Sequence, residues 1–222
     1  MAARPSSRRR RAPALDKAER RALLLRHAIS VFARRGIGAA RHAEIAHEAK
    51  VSVPTVFFYF PTRQALVSAV LEDVARFFAE MTETIHDQHR PAPEIILEHT
   101  RVFADTVATH PDHTRVLLEW STALRDEVWP LYLQFQEKII ATIARTIQRW
   151  RMETGSQREP DAEDDARVIA ATGYVLVQMK MANLPNSRIE RFLQTVVRDT
   201  LGEVRASAKN EAHLTEFNVA VG

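Results

Sequence analysis

The sequence predicts an all-α fold of about nine helices. Three observations carry that expectation. Apolar residues recur at spacings of three and four through most of the 222 residues, no segment alternates convincingly as a strand, and Pro, Gly and polar clusters fall between the periodic stretches. Residues 1–15, rich in Arg, Pro and Ser, lack the apolar content to order alone and read as a basic arm. The first helix starts after Asp16, with Glu19 three residues on as in a capping box; Leu24, Ala28, Val31 and Phe32 form its apolar face, and Gly36 and Gly38 end it. A second, short helix carries Ala43, Ile45, Ala46 and Ala49. Lys50 and Val51 break the chain, and Ser52 caps a third helix that tolerates Pro54 in its first turn. On that third helix Val56 and Phe60 face inward, Phe57 goes with them into the core, and Val53, Pro54, Thr55, Phe58 and Tyr59 point outward.

Thr62 caps a fourth helix, with Leu66, Val70, Val74, Phe77, Phe78 and Met81 on its apolar face, running to residue 81 or beyond. Residues 86–93 read as a loop, followed by helices over Ile95 to Thr109, about 112–125, and Trp129 to Arg151, which Gly155 ends. After the loop 155–162 come an apolar helix over Asp165 to Ala182 and, capped by Ser187, a striped one carrying Ile189, Phe192, Leu193, Val196, Val197, Thr200, Leu201 and Val204. These elements group into a basic arm (1–15), a helix–turn–helix domain (16–68), a helical body (69–206) and a tail (207–222).

Charge separates the same regions. Residues 1–63 hold fourteen Lys+Arg against four Asp+Glu, a net of +10, whereas the remainder holds seventeen against twenty-four, a net of −7. A basic first quarter coinciding with a helix–turn–helix suits a module that places an exposed helix in a DNA major groove. With no cysteine, disulfides and thiolate metal sites are excluded. No apolar run reaches membrane-span length and no signal-peptide h-region follows the basic start, so a cytoplasmic protein without a membrane partner is expected. Nine histidines include His86-x-x-His89 and His110-x-x-His113, but neither pair has a third ligand at metal-site spacing, and no phosphate loop or nucleophile elbow appears. No cofactor, metal or catalytic residue is expected, and the chain does not read as an enzyme.

Two blocks of sequence carry a resemblance. FARRGIGA followed by EIAHEAKVSVPTVFFYFPTRQALV resembles the TetR family of bacterial transcription regulators, and EWSTALRDEVWPL narrows it to the LuxR/HapR/SmcR group, quorum-sensing master regulators of vibrios. The similarity is dense over residues 24–71 and 119–131. It implies a homodimer that binds a pseudo-palindromic operator through its first three helices and pairs through its last two, about 165–182 and 188–205. Carried onto this chain, it gives a DNA-binding set of Ser52, Val53, Pro54, Thr55, Phe58, Tyr59, Thr62, Arg63 and His42. Val53, Pro54 and Phe58 read bases, while Thr55, Tyr59 and Arg63 hold phosphates. Arg8, Arg9, Arg10 and Arg11 form an arm aimed at a minor groove.

The chain departs from the group's pattern at Pro54, where alanine is usual, and at Phe58, where asparagine is usual; a phenyl ring meets a thymine methyl rather than hydrogen-bonding a base edge. In the body the resemblance implies a pocket for a small hydrophobic ligand near Phe77, Phe78, Phe103, Trp120, Trp129, Tyr132 and Gln136, and a dry aromatic core is the other reading of these residues. Glu119 and Arg125-Asp126-Glu127 either polarise that pocket or form surface ion pairs. A non-specific, architectural DNA-binding protein using the arginine arm is the alternative function.

Overall fold

The computed structural model describes residues 16–124, 127–156 and 161–201. Among them are nine helices and no strand: α1 (Lys17–Arg35), α2 (His42–Glu48), α3 (Val53–Tyr59), α4 (Arg63–His86), α5 (Ala92–Thr109), α6 (Pro111–Trp120), α7 (Trp129–Thr154), α8 (Ala162–Met181) and α9 (Asn186–Leu201). They divide into two units. One is drawn from residues up to 75 together with 112–124, the other from 76–111 and from 125 onward. The boundary expected at 68/69 lies inside α4, which contributes its first half to one unit and its second half to the other.

In the first unit, the helix boundaries follow from local chemistry. The Asp16 carboxylate accepts from the Glu19 N–H (2.8 Å) and the Glu19 carboxylate accepts from the Asp16 N–H (2.9 Å), so two otherwise orphaned donors start α1. Gly36 ends it at φ +84°. Between α2 and α3 the turn is closed by Lys50, in the left-handed region at φ +54°, with Val51 N–H reaching Ala46 O (3.0 Å). Ser52 Oγ accepts from Thr55 N–H (3.3 Å) at the start of α3, and Thr62 Oγ1 accepts from Ala65 N–H (3.0 Å) at the start of α4. The expected inward residues Leu24, Ala28, Phe32, Ile45, Val56, Phe60, Leu66 and Val70 are all buried. Two small expectations fail: Ala43 is exposed and Ala49 is only half-buried, because seven-residue α2 turns just Ile45, Ala46 and His42 inward.

The second unit is a bundle in which α8 packs on α5, α7 and α9. Its core includes Ile96, Ile140, Ile143, Ile147, Ile169, Leu176, Leu193 and Val197. Here several boundaries differ from expectation. Helix α5 begins at Ala92 because Pro93 is accommodated in its first turn, where no backbone N–H is needed. Helix α6 stops at Trp120, and α7 continues to Thr154 before Gly155 (φ +66°) closes it. Helix α8 begins three residues early at Ala162, capped by Asp161, whose carboxylate accepts from the Glu163 N–H (3.1 Å). Ser187 is not the cap of α9; it lies inside the helix, which begins at Asn186, and the Asn186 amide oxygen accepts from Lys180 (3.3 Å). A buried Arg151–Asp165 ion pair ties α7 to α8.

Candidate nucleic-acid interface

The outward face of α3 is built by what its inward face lacks. Seven residues make two turns, and only Val56, with Phe60 just beyond the end, reaches the core. Val53, Pro54 and Phe58 are exposed, and Thr55 and Tyr59 are half-buried. Phe58 stands 68% exposed, with the Tyr59 ring edge-on at 5.1 Å and the Lys17 ammonium 5.4 Å from its centre. A phenyl ring left in water contributes little to folding and is suited to an apolar contact with a thymine methyl, while the Lys17 cation beside it favours an anionic partner. Ser52 and Thr55 share a hydroxyl–hydroxyl contact of 2.8 Å at the helix start.

Phe57 departs from its expected place. It is 44% exposed and its ring lies flat on the His42 imidazole, 4.1 Å apart and 4° from parallel. The same contact turns His42 inward. His42 is buried, and its Nε2–H donates to Phe60 O at 2.8 Å, so the imidazole joins the start of α2 to the end of α3. Thr62 is exposed, its hydroxyl spent on capping α4.

Arg63 also works inside the module. Its Nη2 donates to the carbonyls of Ile37 and Gly38, both at 2.7 Å, so it grips the α1–α2 turn. From the other side of that turn Glu119 of α6 accepts the Ile37 N–H at 2.9 Å. Glu119 is therefore committed to this turn and does not polarise a ligand pocket. Gly36 makes the approach feasible: a Cβ there would fall 2.9 Å from the Glu119 carboxylate. Sequence reading missed this clamp, and its one legible trace was the glycine at a helix end followed by a second turn. Arg34–Glu48 and Arg35–Glu44 ion pairs then hold α1 to α2. Arg8, Arg9, Arg10 and Arg11 lie outside the described residues.

With this geometry in hand, comparison with known proteins is informative. Residues 24–70 match the family described as bacterial regulatory proteins, tetR family. The module thus matches a tetR-family helix–turn–helix. Residues of this chain are 44% identical over 119 positions to the HTH-type transcriptional regulator LuxR of Vibrio harveyi, covering 54% of this chain and 58% of that protein. The chain thus matches little more than half the length of this relative. At the level of fold, a transcriptional regulator from Saccharomonospora viridis in complex with choline superposes with a TM-score of 0.70 at 21% identity, covering 82% of this chain and 97% of that one. The TetR family regulator CifR, as a cysteine mutant complexed with 26 bp double-strand operator DNA, does so with a TM-score of 0.69 at 18% identity, covering 85% and 98%. The described residues therefore have the TetR-like fold, an N-terminal helix–turn–helix followed by a helical domain, and these relatives are transcriptional regulators.

The residues expected to line a ligand pocket separate. Trp120 is buried in the first unit's share of the core. In the second unit Phe77, Phe78, Phe103, Tyr132 and Trp129 form a ring-on-ring series. Phe77 meets Phe78 at 5.0 Å, Phe78 meets Phe103 at 5.4 Å, Phe103 meets Tyr174 at 5.8 Å, and Trp129 stacks on Tyr132 at 5.2 Å. Tyr174, which sequence reading did not place in the set, closes the series through a 3.0 Å contact between its hydroxyl and that of Tyr132; burial pushes both phenols up. Gly173 permits it, since a Cβ there would lie 2.9 Å from the Phe103 ring. Gln136, on α7, is half-buried, and Arg125 and Asp126 lie outside the described residues. Of the histidine pairs, His86 bonds Thr146 and His113 faces Asp73 at 3.6 Å, and no group of three potential metal ligands occurs among the described residues. No helix among them is long and apolar enough to cross a membrane.

Proposed function

We propose that this chain is a sequence-specific transcription regulator that binds a pseudo-palindromic operator as a homodimer. The observation that carries the proposal is the outward face of α3, where Val53, Pro54 and Phe58 stand exposed on a helix whose end is held by the His42 contact. Val53, Pro54 and Phe58 read base edges and methyl groups; Thr55 and Tyr59 hold phosphates, and the arginines at 8–11 add sequence-independent attraction. The operator-bound CifR structure supports the reading, because a chain of the same fold holds duplex DNA.

Dimerisation through α8 and α9 is supported by the exposed side of α8, where Val168 (49%), Val175 (41%) and Met181 (53%) stand in water with Ala171 between them. A role in quorum-sensing control rests on the resemblance over residues 24–71 and 119–131, and a DNA partner implies a cytoplasmic site. For a small hydrophobic ligand the aromatic series of the second unit is the candidate; the choline-bound relative in fold supports only that a chain of this fold holds a small molecule. Selection of bound duplexes from a random pool, followed by affinity against salt, tests the function. The expected result is a motif of two inverted half-sites whose centres are about 34–36 Å apart. Recovery of no motif, with affinity collapsing as salt rises, would instead assign a non-specific architectural role.

A further inference from the structure

The second unit has a cleft of about 640 Å³ between the last turns of α4 and the middle of α7, lined by Glu83, Thr84, His86, Asp87, Thr142, Arg145, Thr146 and Arg149. Its size is that of a small-molecule site. Arg145 and Arg149 are four residues apart on α7 and so share one face of the helix. Arg145 Nη2 donates to Thr142 Oγ1 (3.0 Å) and Arg149 Nη2 to Gln88 O (3.2 Å). Neither guanidinium is paired with a carboxylate among the described residues. Of the two acids in the lining, Glu83 is neutralised by Lys138 at 3.0 Å, leaving two guanidiniums against Asp87.

His86 marks the inner wall. It is buried, its Nδ1 lies 2.8 Å from Thr146 Oγ1, and its Nε2 has no hydrogen-bond partner among the described residues. An unbonded buried imidazole nitrogen is costly unless something completes it. When the Thr146 hydroxyl donates to Nδ1, Nε2 carries the ring proton, a buried donor on a residue that lines the same cleft as the two guanidiniums. The local field agrees: burial, then the neighbouring His99, Arg149 and Arg145, hold His86 down to about 3, so it is a neutral donor in a positively charged recess. Guanidinium forks with a neutral N–H behind them match planar or tetrahedral oxyanions.

We propose that this cleft is a binding site for a small oxyanion-bearing solute, a carboxylate or a phosphate, held by Arg145 and Arg149 with His86 Nε2–H at its inner end. The site is distinct from the aromatic series and from α3, and its occupancy is measurable whether or not DNA recognition follows the reading above. Calorimetric titration of the full chain with inorganic phosphate and, separately, with succinate, at constant ionic strength held with chloride, tests it. Saturable binding of one equivalent is expected with at least one probe, and which probe binds names the oxyanion. Arg145→Gln and Arg149→Gln should each weaken that binding about tenfold or more, the loss expected for a hydrogen bond to a charged group, while Arg115→Gln, an exposed change in the other unit, should not. Both arginine variants alter part-exposed side chains, and circular dichroism checks that they fold. Absence of saturable heat with both probes would overturn the proposal, as would binding of equal strength in the Arg145→Gln/Arg149→Gln double variant.

Discussion

The two units put the same kind of side chain to opposite uses. On α3 in the first unit, Phe58 stands largely in water at 68% exposure, and Phe57 is 44% exposed with one face on His42. In the second unit Phe78 is 2% exposed and joins a ring-on-ring series reaching Tyr174. A buried ring contributes to stability through the water it leaves and the atoms it touches; an exposed ring contributes almost nothing until a partner covers it. The difference teaches that aromatic content in this chain does not mark a site by itself. The proposed DNA-reading face rests instead on exposure along a helix with few inward anchors.

Truncating one ring from each unit gives the largest contrast. Phe78→Ala should lower unfolding free energy by about 3–5 kcal/mol, whereas Phe58→Ala should stay within about 0.5 kcal/mol of the parent in denaturant titration while losing discrimination between operator sequences. Equal destabilisation by the two would break the comparison, and uniform loss on every duplex for Phe58→Ala would end its base-reading role.

Acid sharpens the contrast next. His99 is pushed down to about 4 by burial and His86 to about 3, both from an ordinary value of 6.5. The unfolded chain takes up protons below 6.5 that the folded chain refuses, so stability falls as pH drops from 6.5 toward 4, each histidine contributing a slope of up to about 1.4 kcal/mol per pH unit. Thermal melts across that range should show the loss, and replacing His99 with Gln should remove about half of it, leaving the part due to His86.

Gly36→Ala acts in the first unit. It places a Cβ against the Glu119 carboxylate at φ +84° and ψ 159°, a region close to glycine-only, and should cost about 1–3 kcal/mol. Glu119→Ala in the same chain should return the part due to contact and leave the part due to backbone. The smallest effect is expected at Lys50, whose left-handed conformation favours glycine; Lys50→Gly should stabilise by no more than about 1 kcal/mol, read by chemical denaturation.

How much of this was legible in the sequence follows from distance along the chain. Caps such as Asp16 with Glu19, or Ser52 with Thr55, join residues three apart and were readable as written. So were the helices, because burial of one face imposes its own period: Leu66, Val70, Val74 and Phe78 all fall inside. The partners of Arg63 and Glu119 inside the module were not readable because they lie 26 and 82 residues away, and nothing local shows that a guanidinium grips a carbonyl or that a carboxylate accepts a distant N–H. Phe57 was misplaced for a related reason, since the ring that covers it belongs to another helix. Tyr174 escaped the aromatic set because Gly173, which admits Phe103 beside it, reads as a weak point of a helix rather than as a seat for a ring.

The clamp on Ile37 separates the scaffold of the first unit from its lettering. Arg63 and Glu119 secure the turn before α2, His42 secures the end of α3, and neither arrangement uses Val53, Pro54 or Phe58. Those three positions are therefore open to randomisation, with Val56, Phe57 and Phe60 kept fixed. A library confined to them would yield proteins of unchanged architecture whose preferred duplexes differ, a means of re-addressing the chain without rebuilding it.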